Sequence, residues 1–194
     1  MASIGFFFNT MYNVVDTFFA GFISTDALAA LSISFPVFFI IIAMGSGISQ
    51  GGTALRANAL GEKDQAKAHH TCVQCLSFGV FFAIGLTAVG LFSAAMLFQI
   101  LGASGEYLEV ALEYIHLILG GTLFIVTQSI ANVCLNAQGD TKTYRNVLIA
   151  SFFLNCVLDP WFMYGGFGIP AMGIRGIALA TIVIQFLGML YLIH

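Results

Sequence analysis

Long apolar segments, separated by short polar stretches, constrain this chain more than any other feature of its sequence. A helix needs about 20 residues to cross the hydrocarbon core of a bilayer. The segments that meet this requirement cover residues 2–22, 27–49, 72–99, 111–134, 146–165 and 173–193. Only 8% of the 194 residues are charged, whereas a soluble domain carries about 25%. The sequence therefore predicts an all-α integral membrane protein with six transmembrane helices.

The basic residues predict how these helices are oriented. They are Arg56, Lys63, Lys67, Lys142, Arg145 and Arg175. The first three fall in the predicted loop after the second span, and the next two fall in the loop after the fourth span. Because cytoplasmic loops carry an excess of Lys and Arg, these two loops are predicted to face the cytoplasm. The amino terminus is then predicted to be cytoplasmic as well.

Two aspartates lie well inside predicted spans, where a charge costs at least about 2.5–3.5 kcal/mol even on the lenient insertion scale. Asp16 stands in "MYNVVDTFFAG" and Asp159 in "LNCVLDPWFMYG". Asn13 and Asn155 precede them by about one helical turn, so each acid shares a helix face with an amide. Since intramembrane acids usually mark ion or substrate pathways, we interpret these pairs as candidate sites for a proton or a sodium ion. A polar clamp between helices is the structural alternative.

Other polar positions in the spans extend this candidate site. Pro160 cannot donate a backbone hydrogen bond, and its ring displaces the carbonyl of Cys156, four residues earlier. The freed carbonyl is predicted to add an oxygen ligand. Gln128 and Asn132 in the fourth span either line a cavity, together with Asn13 and Pro160, or bond between helices. Both interpretations remain open.

The cysteines give no sign of a structural pairing in the sequence. Cys72, Cys75, Cys134 and Cys156 are scattered through apolar segments, where cysteines usually behave as small buried hydrophobic residues. "CVQC" at 72–75 has the spacing of a redox motif, but no βαβ pattern accompanies it. We therefore interpret all four as packing residues.

Several stretches, in this order and spacing, resemble the amino-terminal half of the multidrug and toxic compound extrusion (MATE) transporters. They are "YNVVDTFFAG…LAALSIS", "GISQGGTALRANALGEKDQAKA", "LNAQGDTKTYRNVL" and "LNCVLDPWFMYG…GIRGIALATIVIQ". The likeness runs through nearly the whole chain. It implies that residues 1–194 form one six-helix lobe of a twelve-helix, two-lobe transporter. Such proteins export organic, mostly cationic compounds in exchange for protons or sodium ions.

The resemblance also implies roles for individual residues. The first-helix aspartate of the family matches Asp16, the fifth-helix asparagine and aspartate match Asn155 and Asp159, and a sixth-helix threonine matches Thr181. These residues are expected to bind the coupling proton or sodium ion. No enzymatic activity, no cofactor beyond that ion and no nucleic-acid partner are expected. The expected partners are small organic substrates, the lipid of the plasma (inner) membrane and a second six-helix lobe, which this chain is expected to lack.

Three alternatives remain open. A lipid-linked oligosaccharide flippase of related architecture would carry more charge in its central cavity. An intramembrane aspartyl protease needs two acids on neighbouring helices, but its glycine-x-glycine-aspartate signature is missing; the nearest match is "AQGD", with Asp140 in a predicted loop. A half-size protein that dimerises is the third alternative, because one lobe alone cannot enclose a path between two halves.

Overall fold

The computed structural model describes residues 2–166 and 168–193, with side chains except those of residues 2–6, 9 and 193. Within these ranges the chain forms α-helices: α1 Ala2–Ile23, α2 Thr25–Gly61, α3 Gln65–Ile100, α4 Gly105–Gly120, α5 Thr122–Asn136, α6 Lys142–Tyr164 and α7 Ile174–Ile193. Between the last two helices, Gly166 and Ile169 form an isolated antiparallel bridge. The prediction of an all-α chain is confirmed.

The fourth predicted span differs from the structure. Residues 111–134 were expected to form one helix, whereas α4 and α5 meet at Gly121 with a bend of 44°. Gly120 and Gly121 lower the helix propensity at this point. A Cβ atom on Gly121 would lie 2.5 Å from Cγ1 of Ile182 in α7. The bend therefore falls where the chain needs glycine to let two helices approach closely.

Helix lengths also correct the predicted loops. Among the described residues, α2, α3, α6 and α7 are long and apolar enough to cross a membrane, and the bent α4–α5 pair is a fifth candidate span. At 37 and 36 residues, α2 and α3 are each about 55 Å long, well beyond the roughly 30 Å hydrocarbon core. Arg56 consequently lies inside α2 and is only 9% exposed. The prediction that it belongs to a loop is wrong. The same holds for Lys67 in α3 and for Lys142 and Arg145 in α6.

The helices pack as two groups. In the α1–α6–α7 group, α6 packs along both α1 and α7. The other group, called the α2–α5 group, consists of α2, α3, α4 and α5, and α2 packs along the other three. The core of this group contains buried side chains such as Phe98, Ile115 and Ile130. Helix α7 also contacts α4 and α5, so it joins the two groups.

One cysteine pair corrects the interpretation of the cysteines as packing residues. Cys72 of α3 and Cys134 of α5 form a disulfide, with their Cα atoms 6.2 Å apart and a sequence separation of 62 positions. The CVQC motif therefore does not pair with itself. Cys75 and Cys156 are free thiols.

Candidate cation-binding site

The two predicted acids meet at a single amide. The side-chain nitrogen Nδ2 of Asn155 donates one hydrogen bond to Oδ1 of Asp16 at 2.8 Å and another to Oδ1 of Asp159 at 3.0 Å. An amide nitrogen has two hydrogens, and these two bonds use both. Asn155 thus holds a carboxylate of α1 and a carboxylate of its own helix close together.

Thr181 completes this group from α7. Its hydroxyl group donates to Oδ2 of Asp16 at 3.5 Å, a long hydrogen bond. Asn155, Asp159 and Thr181 are 0% exposed, and Asp16 is 4% exposed. We call these four residues the acid cluster. The structure therefore brings together all four residues predicted to bind the coupling cation.

The periodicity of α6 explains why two of the four share a face. Ser151, Asn155 and Asp159 follow each other at intervals of four residues, and all are buried. Phe153 and Val157 lie on another face and are exposed. The buried face packs against α1 and α7. The sequence therefore places its polar residues on the one side of α6 that contacts the helices carrying the other two members.

The oxygen atoms of the acid cluster are not all satisfied. Within the described part of the chain, neither Oδ1 of Asn155 nor Oδ2 of Asp159 has a hydrogen-bond partner. Unpaired buried oxygens cost free energy unless a proton, water or cation contacts them. Carboxylate, amide and hydroxyl oxygens are ligands that hard cations such as sodium prefer, by analogy with calcium and magnesium sites. The cluster is thus chemically suited to a proton or a small hard cation.

Charge gives the same indication. Two ionised carboxylates bonded to one nitrogen repel each other strongly when they are buried. One added positive charge, as a proton on either acid or a cation between them, removes most of that repulsion. The arrangement is therefore most stable when it holds one positive charge.

A small cavity lies directly beside Asp16. Its volume is about 10 Å³, and its polar lining comes from Asn13, Asp16, Ser34 and Tyr114. Space of this size is close to the minimum for one water molecule. Asn13 was predicted to line a cavity, and it lines this one. The amide that bonds to both acids, however, is that of Asn155.

Two tyrosines near the cluster were not predicted from the sequence. Tyr12 and Tyr114 are each 5% exposed, and both lie near Asp16 and Asp159. Tyr12 stands one helical turn before Asp16, and this spacing is the signal that could have identified it. Tyr114 comes from α4, and the sequence contains no local signal that links it to α1.

The remaining predicted polar residues lie outside the acid cluster. Gln128 and Asn132 of α5 are buried, and the side-chain oxygen of each has no hydrogen-bond partner among the described residues. A Cβ atom on Gly188 of α7 would lie 2.9 Å from Nε2 of Gln128. Pro160 is half-buried, and α6 continues through it to Tyr164.

A larger cavity lies between α6 and α7, starting one turn from the acid cluster. Its volume is about 360 Å³, which falls in the usual range of small-molecule sites, roughly 300–1,000 Å³. Ser151 stands one turn before Asn155, and Ile184 stands one turn after Thr181; both line it. The rest of the lining is mostly apolar, with Asn146 and Tyr191 as further polar side chains.

Residues 2–161 match the sequence profile of the MatE family. The probable multidrug resistance protein NorM of Thermotoga maritima is 30% identical over 178 residues, which cover 92% of this chain and 38% of that protein. The FAD transporter of Shewanella oneidensis is 28% identical over 171 residues, which cover 88% of this chain and 38% of that protein. The chain therefore spans about two fifths of the length of these relatives.

Solved structures show the same likeness in three dimensions. A crystal structure of MATE in the bent conformation superposes with a TM-score of 0.90 at 31% identity, covering 97% of this chain and 41% of that chain. An outward-facing multidrug resistance MATE family transporter of the MOP superfamily superposes with a TM-score of 0.89 at the same 31% identity. Both the sequence profile and the helix arrangement therefore lead to one conclusion: this multi-pass membrane chain belongs to the MatE family of transporters.

Proposed function

We propose that this chain is the amino-terminal lobe, residues 1–194, of a secondary antiporter that exports organic, mostly cationic compounds. In this proposal α1, α2, α3, the bent α4–α5 pair, α6 and α7 are its six membrane crossings. The amino terminus is cytoplasmic, the membrane is the plasma (inner) membrane, and a second six-helix lobe completes the transport path. Export requires no enzymatic step and no cofactor, because an inward gradient of protons or sodium ions drives it.

The contact of Asp16 and Asp159 with one Asn155 nitrogen is the observation that carries this proposal. Three helices supply the acid cluster, so binding one cation draws α1, α6 and α7 together, and losing it lets the two acids repel. A ligand shifts a conformational equilibrium only if it binds the two states differently. A cation at this cluster meets that condition.

The cavity between α6 and α7 supports the proposal that the substrate is an organic compound. Its apolar lining and its few polar groups suit a compound of drug size, and it shares both helices with the acid cluster. Binding of substrate in the cavity and binding of cation in the cluster would therefore act on the same pair of helices. Coupling between two sites needs such a shared two-state element.

The alternative functions are less well supported. A protease would need a water molecule between its two acids, but the amide nitrogen of Asn155 occupies that position. The relatives named above are transporters of drugs or of FAD, which favours export over lipid flipping. The FAD-transporting relative makes anionic dinucleotides a second candidate substrate class. Efflux assays that compare FAD with a cationic dye would separate the two classes.

The central test removes one negative charge at a time. In the full-length transporter reconstituted into proteoliposomes, Asp16→Asn and Asp159→Asn should each reduce gradient-driven export of ethidium by an order of magnitude or more. Membrane insertion should persist, because neutralising a buried acid removes a desolvation cost. Asp26→Asn is the control, since this acid is exposed in the first turn of α2. Full export by both cluster variants would refute the proposed coupling role.

A second test addresses orientation. Single cysteines replacing Asp64 and Thr141, in a protein without its native cysteines, should react with an impermeant maleimide only from the cytoplasmic side. A cysteine replacing Ser104 should react only from outside. The opposite pattern would reverse the proposed topology.

A further inference from the structure

The disulfide between Cys72 and Cys134 lies at a particular end of the bundle. Cys72 is in the second turn of α3, shortly after the α2–α3 connection. Cys134 stands two residues before the end of α5, shortly before the α5–α6 connection. These two connections carry or adjoin most of the basic residues. In the proposed topology, both cysteines are therefore near the cytoplasmic face.

This location conflicts with a permanent disulfide. The cytosol keeps most thiols reduced, and disulfides that do form there are usually transient. The backbone nevertheless places the two residues for bonding, because their 6.2 Å Cα separation falls within the range of about 4.4–6.8 Å found in disulfides. The pair is thus able to bond without movement of its helices, in a compartment that normally leaves it reduced.

We propose that Cys72 and Cys134 form a reversible oxidation site that ties α3 to α5 when the cytoplasm becomes oxidising. The proposal rests on the topology given in the proposed function, in which these helix ends face the cytoplasm. It does not depend on the identity of the exported compound or of the coupling ion.

Hydrogen peroxide is the oxidant in this reaction. Cys134 is half-buried and Cys72 is 6% exposed, so the Cys134 thiolate is the more accessible attacking group. It takes one peroxide oxygen to form a sulfenic acid, and the other oxygen leaves as water once protonated. The Cys72 thiolate then attacks the sulfenic sulfur and expels the second water. Two thiols and one peroxide thus give one disulfide and two waters, and a cellular dithiol reverses the change.

Cys75 does not compete for this bond in the structure. It stands one turn after Cys72 on α3, and its sulfur lies only 2.7 Å from the position that a Cβ atom on Gly52 would occupy. Its side chain is therefore packed against α2, and its thiol remains free. The two cysteines of the CVQC motif thus contact different helices, Cys72 against α5 and Cys75 against α2. Cys75 is therefore a suitable control position.

The cross-link would restrict helices that connect to the acid cluster. Helix α5 packs along α2, α3 and α7, and α7 carries Thr181. A covalent bond from α3 to the end of α5 would limit any shift of α5 relative to α3. Because α7 packs against α5, a conformational change that moves α5 and α7 together would also be hindered. We expect oxidation to slow transport without preventing cation binding.

The experiment counts thiols and measures export in the same sample. Vesicles containing the full-length transporter are treated with hydrogen peroxide, denatured and labelled with a polyethylene-glycol maleimide that shifts gel mobility once per free thiol. Wild-type protein should lose two reactive thiols on oxidation and regain both with dithiothreitol. Cys134→Ser, which keeps only Cys72 of the pair, should lose no thiol, whereas Cys75→Ser and Cys156→Ser should behave as wild type in forming the bond. Ethidium export should fall several-fold in oxidised wild type and stay unchanged in oxidised Cys134→Ser.

Three results would overturn the inference. Thiols that stay free under peroxide would show that the pair does not bond. A disulfide already complete in protein alkylated inside growing cells would identify a permanent bond. An equal loss of export in oxidised Cys134→Ser would place the oxidation elsewhere. A failure of the proposed function would be distinguishable from a failure of this inference. The thiol count does not depend on transport, and the Asp16→Asn test does not use an oxidant.

Discussion

Both helix groups contain close glycine contacts, such as Gly176 of α7 against the backbone of Phe162 in α6, but within the described part of the chain only the α1–α6–α7 group has buried side chains that form hydrogen bonds to each other across helices. In the α1–α6–α7 group, buried polar side chains bond to each other across helices, and Asn155 joins acids from two of them. In the α2–α5 group, close approach depends on glycine: a Cβ atom on Gly79 of α3 would lie 2.0 Å from Cδ1 of Ile130, and one on Gly90 would lie 2.5 Å from Cδ2 of Leu119. In the proposed function, the first kind of contact changes when a proton or cation binds, and the second does not.

This difference separates two kinds of mutational effect. A change in the acid cluster should alter coupling while leaving most of the packing intact. A change at a glycine contact should alter stability at every pH and sodium concentration alike.

Asn155→Leu should give the largest effect. The substitution keeps the side chain's approximate size but removes the donor that both acids share. We expect coupled export of ethidium to fall by two orders of magnitude or more, while the protein still inserts, since both acids are able to take up protons. Phe153→Leu, on the exposed face of the same helix, is the matched control. If Asn155→Leu exported normally, the amide bridge would have no role in coupling.

Gly79→Val should chiefly reduce stability. The added side chain would overlap Ile130, which is 1% exposed, and overpacking of this kind typically costs about 1–3 kcal/mol. Gly85→Val on the same helix is the control, because a Cβ atom there meets nothing within 4 Å. Thermal unfolding of the detergent-solubilised transporter should show a lower midpoint for Gly79→Val alone. A loss that varied with sodium or pH would contradict the separation of the two groups.

Pro160→Ala should have an intermediate effect on coupling. Alanine restores the backbone donor and favours helix, so the Cys156 carbonyl regains an ordinary hydrogen-bond partner while Asp159 keeps its charge. We expect export to fall several-fold with an altered dependence on pH or sodium, and stability to be equal or higher. Unchanged ion dependence in a stable Pro160→Ala protein would show that the proline serves packing only.

Asp140→Asn should have the smallest effect, because this residue lies outside both groups. Oδ2 of Asp140 accepts from the Thr143 hydroxyl at 2.6 Å, and Oδ1 accepts from the backbone nitrogens of Lys142 and Thr143. The hydrogen bond from the Thr143 hydroxyl, followed by those from the backbone, lowers the pKa of this half-buried carboxyl. Its stabilisation of the start of α6 is therefore complete above the unfolded pKa, roughly 3.9, and disappears as the pH falls through the lower folded value.

Amide hydrogen exchange in the first turn of α6 measures that stabilisation. Wild-type protein should lose protection there below about pH 4, while Asp140→Asn should show weaker protection that changes little over the same range. Equal protection in the two proteins at neutral pH would mean that the cap contributes nothing to this helix end.

Much of the acid cluster could be predicted from local sequence. Asp16, Asn155 and Asp159 are conspicuous because polar residues are rare in these spans, and the four-residue interval on α6 sets two of them on one face. Thr181 was identified only through the family resemblance. The sequence did not reveal that Asn155 bridges both acids, because that contact depends on how α1 and α6 pack.

The missed features have the same physical origin. Burial of Arg56 depends on α2 extending well beyond the hydrophobic span that the sequence shows. The bend at Gly121 depends on the approach of Ile182 from α7, and the Cys72–Cys134 pair depends on α3 and α5 being neighbours. Each requires knowledge of tertiary contacts, which spacing along one helix cannot supply.

The presence of two carboxylates in the acid cluster also sets an electrical limit on this lobe of the proposed antiporter. Two acids neutralise at most two monovalent cations, so this lobe carries no more than two coupling charges in each cycle. Exchange of one such charge for a monovalent organic cation moves no net charge, and exchange of two moves one inward. The membrane potential then contributes about 2.3 kcal/mol per 100 mV to each cycle. In the proposed antiporter, the number of cations that the acid cluster takes up in each cycle therefore decides whether voltage adds to the concentration gradient as a driving force.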